Sequence, residues 1–302
     1  VGPTASGKTA VGVEVARRLG AEVLSLDSMA LYRGMDIGTA KPTEGERAGV
    51  PHHLIDVADP HEAFSTGRYV EAAERAIAEV TGRGRRPLFV GGTALYLKAL
   101  TEGFFDGPEA DWSLRRRLLD EAEQDGSAAL HERLRAVDLA AAKRIHPNDV
   151  RRIVRALEVF ETTGRPISEQ QTQFGAPSPR YECTLAGLRW PREQLYERIE
   201  RRVDAMFEAG LVDEVRRLLD SPEGISHAAG QFVGYREVIV ALRGECSLEE
   251  ARALVKTRTR QFARRQLTWF RKLTDITWVD APGRSVADLA DHVVAALGLA
   301  SH

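Results

Sequence analysis

Gly2-Pro3-Thr4-Ala5-Ser6-Gly7-Lys8-Thr9 fits the spacing G-x-x-x-x-G-K-[ST], a set of residue types suited to holding a polyphosphate. Glycines let successive backbone N–H groups turn toward phosphate oxygens, and the helix that follows presents the positive end of its dipole. Lys8 adds a point charge, and the Thr9 hydroxyl is placed to ligate Mg²⁺. Asp27 is the second candidate for chemistry. A carboxylate at the end of an apolar stretch, facing the same crevice as the loop, orients Mg²⁺ or takes a proton as general base. The same position equally suits an N-cap or turn aspartate. Kinases and ATPases more comfortably end another apolar strand on a Mg²⁺-binding Asp, whereas Phe89-Val90 runs into Gly91-Gly92-Thr93, which weighs against ATP as the polyphosphate.

A second set of residues points to a polyanion. Ser247-Leu248-Glu249-Glu250 is a capping box, from which a long helix is expected to run through about 272. On it Arg258, Arg260, Arg264, Arg265, Arg271 and Lys272 share one arc, with Val255, Phe262, Ala263, Phe270 and Leu273 on the other. No acid falls between Ala251 and Thr274, so these cations lack the i,i+4 partners of a merely solvated face. The pattern fits a surface that neutralises nucleic-acid phosphates, or a basic face with no ligand. Arg151, Arg152 and Arg155, after His146-Pro147-Asn148-Asp149, and Arg115-Arg116-Arg117 are further basic clusters.

Positioning these groups requires an α/β scaffold. Val11, Val15 and Leu19 recur at helical spacing over 10–19, and Gly20 is placed to end that helix. Residues 21–26 read as a buried strand, 68–80 as a helix and 87–90 as another strand. This alternation predicts a parallel sheet flanked by helices, of the P-loop NTPase type, with ligands at the carboxyl ends of the strands. The strand expected just before the loop is absent from a chain that starts at Val1, which reads as truncation. From 107 to 166 the pattern is helical, so the expected organisation is a core of 1–107 and 189–302 interrupted by a mostly helical insertion over 108–188. Residues 175–179 read as a loop, and 183–188 as a strand returning to the core.

Composition sets outer bounds. With 302 residues, 43% hydrophobic and 28% charged, the chain can bury one large core or a core plus an insertion. A formal net charge of −2 argues against a protein that coats nucleic acid everywhere, though not against local basic patches. Cys183 and Cys246 are far apart with no C-x-x-C, which suggests neither a disulfide framework nor a zinc site. No apolar run approaches the roughly 18 residues of a membrane span, and no signal-peptide pattern is seen. A cytoplasmic monomer without membrane contact is the expectation.

The chain resembles the bacterial tRNA dimethylallyltransferases. The likeness is carried, in order, by 2–9, Asp27-Ser28, 34–42, 91–96, 144–149, 155–159, Gly234-Tyr235-Arg236-Glu237 and Arg265-Gln266-Leu267-Thr268-Trp269-Phe270. The resemblance implies transfer of a dimethylallyl group from its diphosphate to N6 of the adenine 3′ of the tRNA anticodon, with diphosphate released and Mg²⁺ as cofactor. By that likeness Gly2, Pro3, Thr4, Ala5, Ser6, Gly7, Lys8 and Thr9 bind the leaving diphosphate, Thr9 holds the metal, and Asp27, Thr93 and Arg202 are catalytic. It also implies that Asp27, Ser28, Met29, Ala30, Thr93, Arg115, Arg151, Arg152 and Arg155 contact the tRNA anticodon stem-loop. Gln231, Gly234, Tyr235, Arg236, Arg264, Arg265, Gln266, Trp269 and Arg271 are implied as further tRNA contacts. For Arg202 the residues alone would favour an ordinary surface arginine on an amphipathic helix.

Overall fold

The structure, a computed structural model, describes residues 1–103, 107–108, 110–171, 180–273 and 275–299. The chain forms two compact units, Val1–Lys98 with Glu182–His302, and Ala99–Tyr181. The loop expected at 175–179 lies outside the described residues.

In chain order, the elements are α1 (Lys8–Leu19), β1 (Ala21–Leu26), α2 (Glu44–Arg47), β2 (His52–His53), α3 (Thr66–Gly82), β3 (Arg86–Gly91) and α4 (Ala94–Glu102). The helices α5 (Trp112–Gln124), α6 (Ser127–Val137), α7 (Leu139–Arg144), α8 (Val150–Thr163) and α9 (Ile167–Gln170) follow. The remainder comprises β4 (Leu185–Arg189), α10 (Arg192–Glu208), α11 (Leu211–Leu219), α12 (His227–Gly230), α13 (Tyr235–Leu242), α14 (Leu248–Phe270), β5 (Ile276–Asp280) and α15 (Val286–Ala296).

Strands β2, β1 and β3 form one parallel sheet in that order, and β4 pairs in parallel with β5. All six residues of β1 are buried, as expected of a strand covered on both faces. Helices α1 and α3 pack against β1 and β3, and α15 packs against β4, β5 and α1. The apolar residues Val11, Val15, Leu19, Val23, Leu188, Val279 and Val294 share one cluster there. The parallel sheet flanked by helices expected from the sequence is β2-β1-β3, and β4 with β5 adds a second parallel pair among the described residues. Val1 donates its backbone nitrogen to Ala186 O at 2.7 Å and accepts from Leu188 N at 3.1 Å, pairing at one residue, too little for a ladder.

Residues 183–188, read as a strand returning to the core though counted within the 108–188 insertion, lie in the first unit, where Leu185–Arg189 forms β4 beside β5. The second unit runs from 99 to 181, and its described residues form helices and no strand. Its core joins Leu118, Leu130, Leu134, Ile153 and Leu157. Glu158 is fully buried within it. Its carboxylate is neutralised by Arg115 through two bonds of 2.9 Å and by Arg155 at 2.6 Å. No helix among the described residues is long and apolar enough to cross a membrane.

Candidate active site

The loop at 2–9 is shaped by backbone conformations that only some of its residues reach easily. Ala5 (φ 62°) and Gly7 (φ 87°) are both left-handed, a region glycine enters without penalty and alanine does not. Neighbouring side chains hold the loop's carbonyls. Arg198 Nε donates to Ala5 O at 2.8 Å, Trp190 Nε1 donates to Ser6 O at 2.9 Å, and Lys8 Nζ reaches Pro3 O at 3.3 Å. The Arg198 guanidinium also lies over the Trp190 ring, 4.3 Å from its centroid. With the carbonyls engaged, the first intrahelical bond of α1 is Val11 N–H to Gly7 O, and no side chain caps the helix. The N–H groups of Lys8, Thr9 and Ala10 therefore lack the intrahelical acceptors that later turns have, which leaves them available to an anion. The buried Ser6 hydroxyl also has no hydrogen-bond partner among the described residues.

Asp27 follows directly on β1. Its Oδ1 accepts from Met29 N–H at 2.9 Å, so the turn aspartate allowed by the sequence is realised while the second oxygen makes no such bond among the described residues. Thr93 follows β3 and donates its own N–H to Leu26 O at 3.0 Å; its Oγ1 accepts from Ser28 N–H at 3.1 Å. The two strand ends are thus tied side by side. Thr4, Lys8, Thr9, Asp27, Met29 and Arg202 line one cavity of about 100 Å³. Val203 and Met206 from α10, Val233, and Val255 and Phe262 from α14 form an apolar wall of the same cavity. A second opening, lined by Arg198, Arg201 and Arg202, reaches Lys8 and Thr9 as well.

Charges in this cavity act on one another. Burial lowers the Lys8 ammonium from its ordinary 10.5 to about 8, with Asp27 pulling it up and Arg202 pushing it down. Burial likewise lowers Arg202, which Asp27 partly offsets. The Arg202 guanidinium makes no hydrogen bond or ion pair among the described residues, and two cations beside one carboxylate leave an excess of positive charge. An anion would be drawn to it.

The floor of the cavity is a loop whose order depends on buried ions. Gly38, Thr39, Ala40, Lys41 and Pro42 line it. Glu214, buried on α11, accepts from the N–H groups of Asp36, Ile37 and Gly38 at 2.9, 2.8 and 3.1 Å. Lys41 Nζ, buried as well, binds Asp36, Asp56 and the Tyr32 carbonyl at 2.5 to 2.8 Å. Nothing in the sequence near Glu214 or Arg198 marks either residue, because each acts on a segment more than a hundred positions away.

Several residues implied as RNA contacts occupy other roles. Tyr235 is fully buried and donates its hydroxyl to Glu214 Oε1 at 2.7 Å. Its ring leaves no room for a side chain at Gly38, where a Cβ would lie 2.5 Å away. Gly234 is left-handed (φ 101°) and buried, donating its N–H to Glu237 Oε2 at 2.7 Å. Gln266 is 7% exposed and faces inward, and Ala30 is buried. In the helical unit, Arg115 and Arg155 serve Glu158, while Arg151 and Arg152 are exposed. Gln231, Arg236, Arg264, Arg265, Trp269 and Arg271 are exposed. The long helix starts as its capping box dictates and ends at Phe270. Two arginines of its expected basic arc have tertiary acidic partners, Arg258 with Glu237 at 2.8 Å and Arg260 with Glu200. Arg264, Arg271 and Lys272 have none among the described residues.

An α/β core with an uncapped helix start, a guanidinium without a partner among the described residues and a carboxylate lining the same cavity suits transfer of a group from an anionic donor. Comparison with known proteins agrees on the type. Residues 30–273 match the family model for IPP transferase. The tRNA dimethylallyltransferase of Symbiobacterium thermophilum is 52% identical over 299 residues, covering 98% of this chain and 93% of that protein. That of Geobacter metallireducens is 50% identical over 283 residues, covering 94% and 92%. Among solved structures, the tRNA isopentenylpyrophosphate transferase of Bacillus halodurans superposes with a TM-score of 0.71 at 41% identity, covering 99% of this chain and 95% of that one. A eukaryotic dimethylallyltransferase acting on tRNA gives 0.76 at 31% identity, covering 92% and 72%. The chain belongs to the IPP transferase family.

Proposed function

We propose that this protein transfers a dimethylallyl group from dimethylallyl diphosphate to N6 of the adenine 3′ of the anticodon in tRNA, on a P-loop-type core carrying a helical insertion. The observation that carries the reading is the meeting of Lys8, Thr9, Arg202 and Asp27 in one cavity with an apolar wall. Diphosphate suits the polar end, where the first N–H groups of α1 and two cations converge. A five-carbon allyl group suits Met206, Val233 and Phe262. In the reaction the allylic C–O bond breaks as the N6–C bond forms; the electron pair leaves with the diphosphate. The exocyclic amine is a poor nucleophile because its lone pair is delocalised, and Asp27 accepts the proton it releases. Lys8 and Arg202 hold the charge that grows on the departing diphosphate.

Mg²⁺ fits this donor set: the Thr9 hydroxyl has no partner among the described residues and one Asp27 oxygen is spare. Few protein ligands completed by substrate phosphates and water is the usual habit of Mg²⁺. Bound there by Thr9 and the diphosphate, it would neutralise leaving-group charge. The exposed Arg264, Arg265, Trp269 and Arg271 on and after α14 are placed to meet tRNA phosphates and bases.

Incubation with Mg²⁺, dimethylallyl diphosphate and an anticodon stem-loop RNA bearing consecutive adenines, followed by mass spectrometry of the nucleosides, tests the reading. Asp27→Asn keeps the oxygen that accepts from Met29 N–H and removes the base. Turnover is expected to fall about 10²- to 10⁴-fold with diphosphate binding retained. Unchanged turnover in that variant refutes the role of Asp27, and a wild-type protein that binds ATP while giving no prenylated RNA refutes the reaction.

A further inference from the structure

We infer that Gln266, although it sits on the basic helix α14, serves the donor diphosphate and not the RNA, as a positioning residue that sets the distance between the leaving-group cradle and the proton acceptor. The inference rests on the diphosphate reading of the loop given above.

The two sides of α14 face different surroundings. Arg264, Arg265, Thr268 and Trp269 are exposed, while Gln266 points inward and is buried. Its Oε1 accepts from Thr4 N–H at 2.8 Å, and its Nε2 donates to Gly92 O at 2.9 Å. The backbone groups fix the orientation of the amide, since an N–H only donates and a carbonyl only accepts. One side chain thus joins the phosphate loop to the end of β3. The next residue, Thr93, accepts from Ser28 N–H, and Ser28 adjoins Asp27. From Thr4 to Asp27 the connection is Gln266, Gly92, Thr93 and Ser28. Displacing either end by about 1 Å is enough to cost a reaction of this kind on the order of 10²-fold.

Glutamine alone satisfies both partners here. Glutamate would set a carboxylate oxygen against Gly92 O, and asparagine is one methylene too short to span the gap. Gly92 is part of the same arrangement: a Cβ there would lie 2.4 Å from Gln266 Nε2 and 3.0 Å from Gly2 O. Removing Gln266 strips the partner from Thr4 N–H and from Gly92 O, both of them within the site.

The test measures dimethylallyl diphosphate and anticodon stem-loop RNA separately, at equilibrium, on wild type, Gln266→Ala, Gly92→Ala, the double variant and Arg264→Ala. Gln266→Ala is expected to weaken diphosphate binding at least tenfold while RNA affinity and its salt dependence stay within twofold. Arg264→Ala is expected to do the reverse. Gly92→Ala keeps the glutamine but displaces its amide, and should reproduce the diphosphate defect. Both changes break one bridge, so the double variant should be no worse than the poorer single one; independent structural damage would add. Weakened RNA binding in Gln266→Ala, unaltered diphosphate binding, or full additivity with Gly92→Ala overturns the inference. A wild-type protein that fails to bind dimethylallyl diphosphate would instead overturn the reading of the loop itself.

Discussion

The charge on Lys8 makes diphosphate binding dependent on pH in a direction that can be worked out. Burial brings the free protein's ammonium from 10.5 to about 8. Above that pH the site holds a neutral amine, and an anion that requires the ammonium binds only as a proton is taken up. If the bound ammonium stays charged throughout, the population of competent sites falls by about tenfold between pH 7 and pH 9. Folding responds with the opposite sign. A lysine whose folded pKa lies below its unfolded value carries its penalty at low pH, and that penalty is relieved as pH rises from about 8 toward 10.5. The ligand-free protein should therefore gain stability from this group over the range in which it loses affinity. Isothermal titration with dimethylallyl diphosphate at fixed Mg²⁺, across pH 7 to 9, reads the effect. Lys8→Ala supplies the baseline, because the ligand's own protonation enters both curves and cancels in their difference. Lys8→Ala should bind more weakly and vary less with pH; parallel curves for the two proteins would refute the assignment.

Three further outcomes follow from particular contacts. Arg264→Ala should weaken RNA binding and reduce the slope of log affinity against log salt by about 0.7 to 0.9; an unchanged slope would remove Arg264 from the RNA surface. Arg115→Ala leaves the fully buried Glu158 carboxylate with Arg155 as its remaining ion-pair partner and the Asp111 N–H as its other donor, and should lower unfolding free energy in urea by about 3 kcal/mol. Wild-type stability with a reduced salt slope would instead restore Arg115 as an RNA contact. Glu214→Gln keeps one acceptor oxygen and sets an NH₂ against the donors of the other, either the Asp36 and Ile37 N–H groups or the Gly38 N–H and the Tyr235 hydroxyl, at an expected cost of about 2 kcal/mol. Turnover should fall with it because the loop at 38–42 lines the cavity, and a variant equal to wild type in both assays would count against that support.

The elements were legible where the signal was local. The glycine loop and the 3.6-residue period after it place α1, apolar runs place β1 and β3, and Ser247 with Glu250 starts α14. Each depends on contacts within a few residues, which the order of side chains sets by itself. The chemistry of the loop was legible for the same reason, since glycine conformations, a helix start and Lys8 lie within nine positions. Strand β5 and helix α15 were not anticipated; β5 takes its place from pairing with β4, some ninety residues earlier.

What only the tertiary structure decided is how each polar residue is used. Arg115, Arg155, Tyr235 and Gln266 have the types and the company of nucleic-acid contacts, yet the fold turns them toward Glu158, Glu214, Thr4 and Gly92. A guanidinium, a phenol or an amide meets a buried carboxylate or backbone group as readily as it meets a phosphate or a base. Sequence gives the donors and acceptors; which of them face water is settled by packing between segments far apart in the chain. Asp27 and Lys8 illustrate the converse. They lie nineteen positions apart, and they line one cavity because the parallel strand β1 carries Asp27 to the end of the sheet where the loop opens.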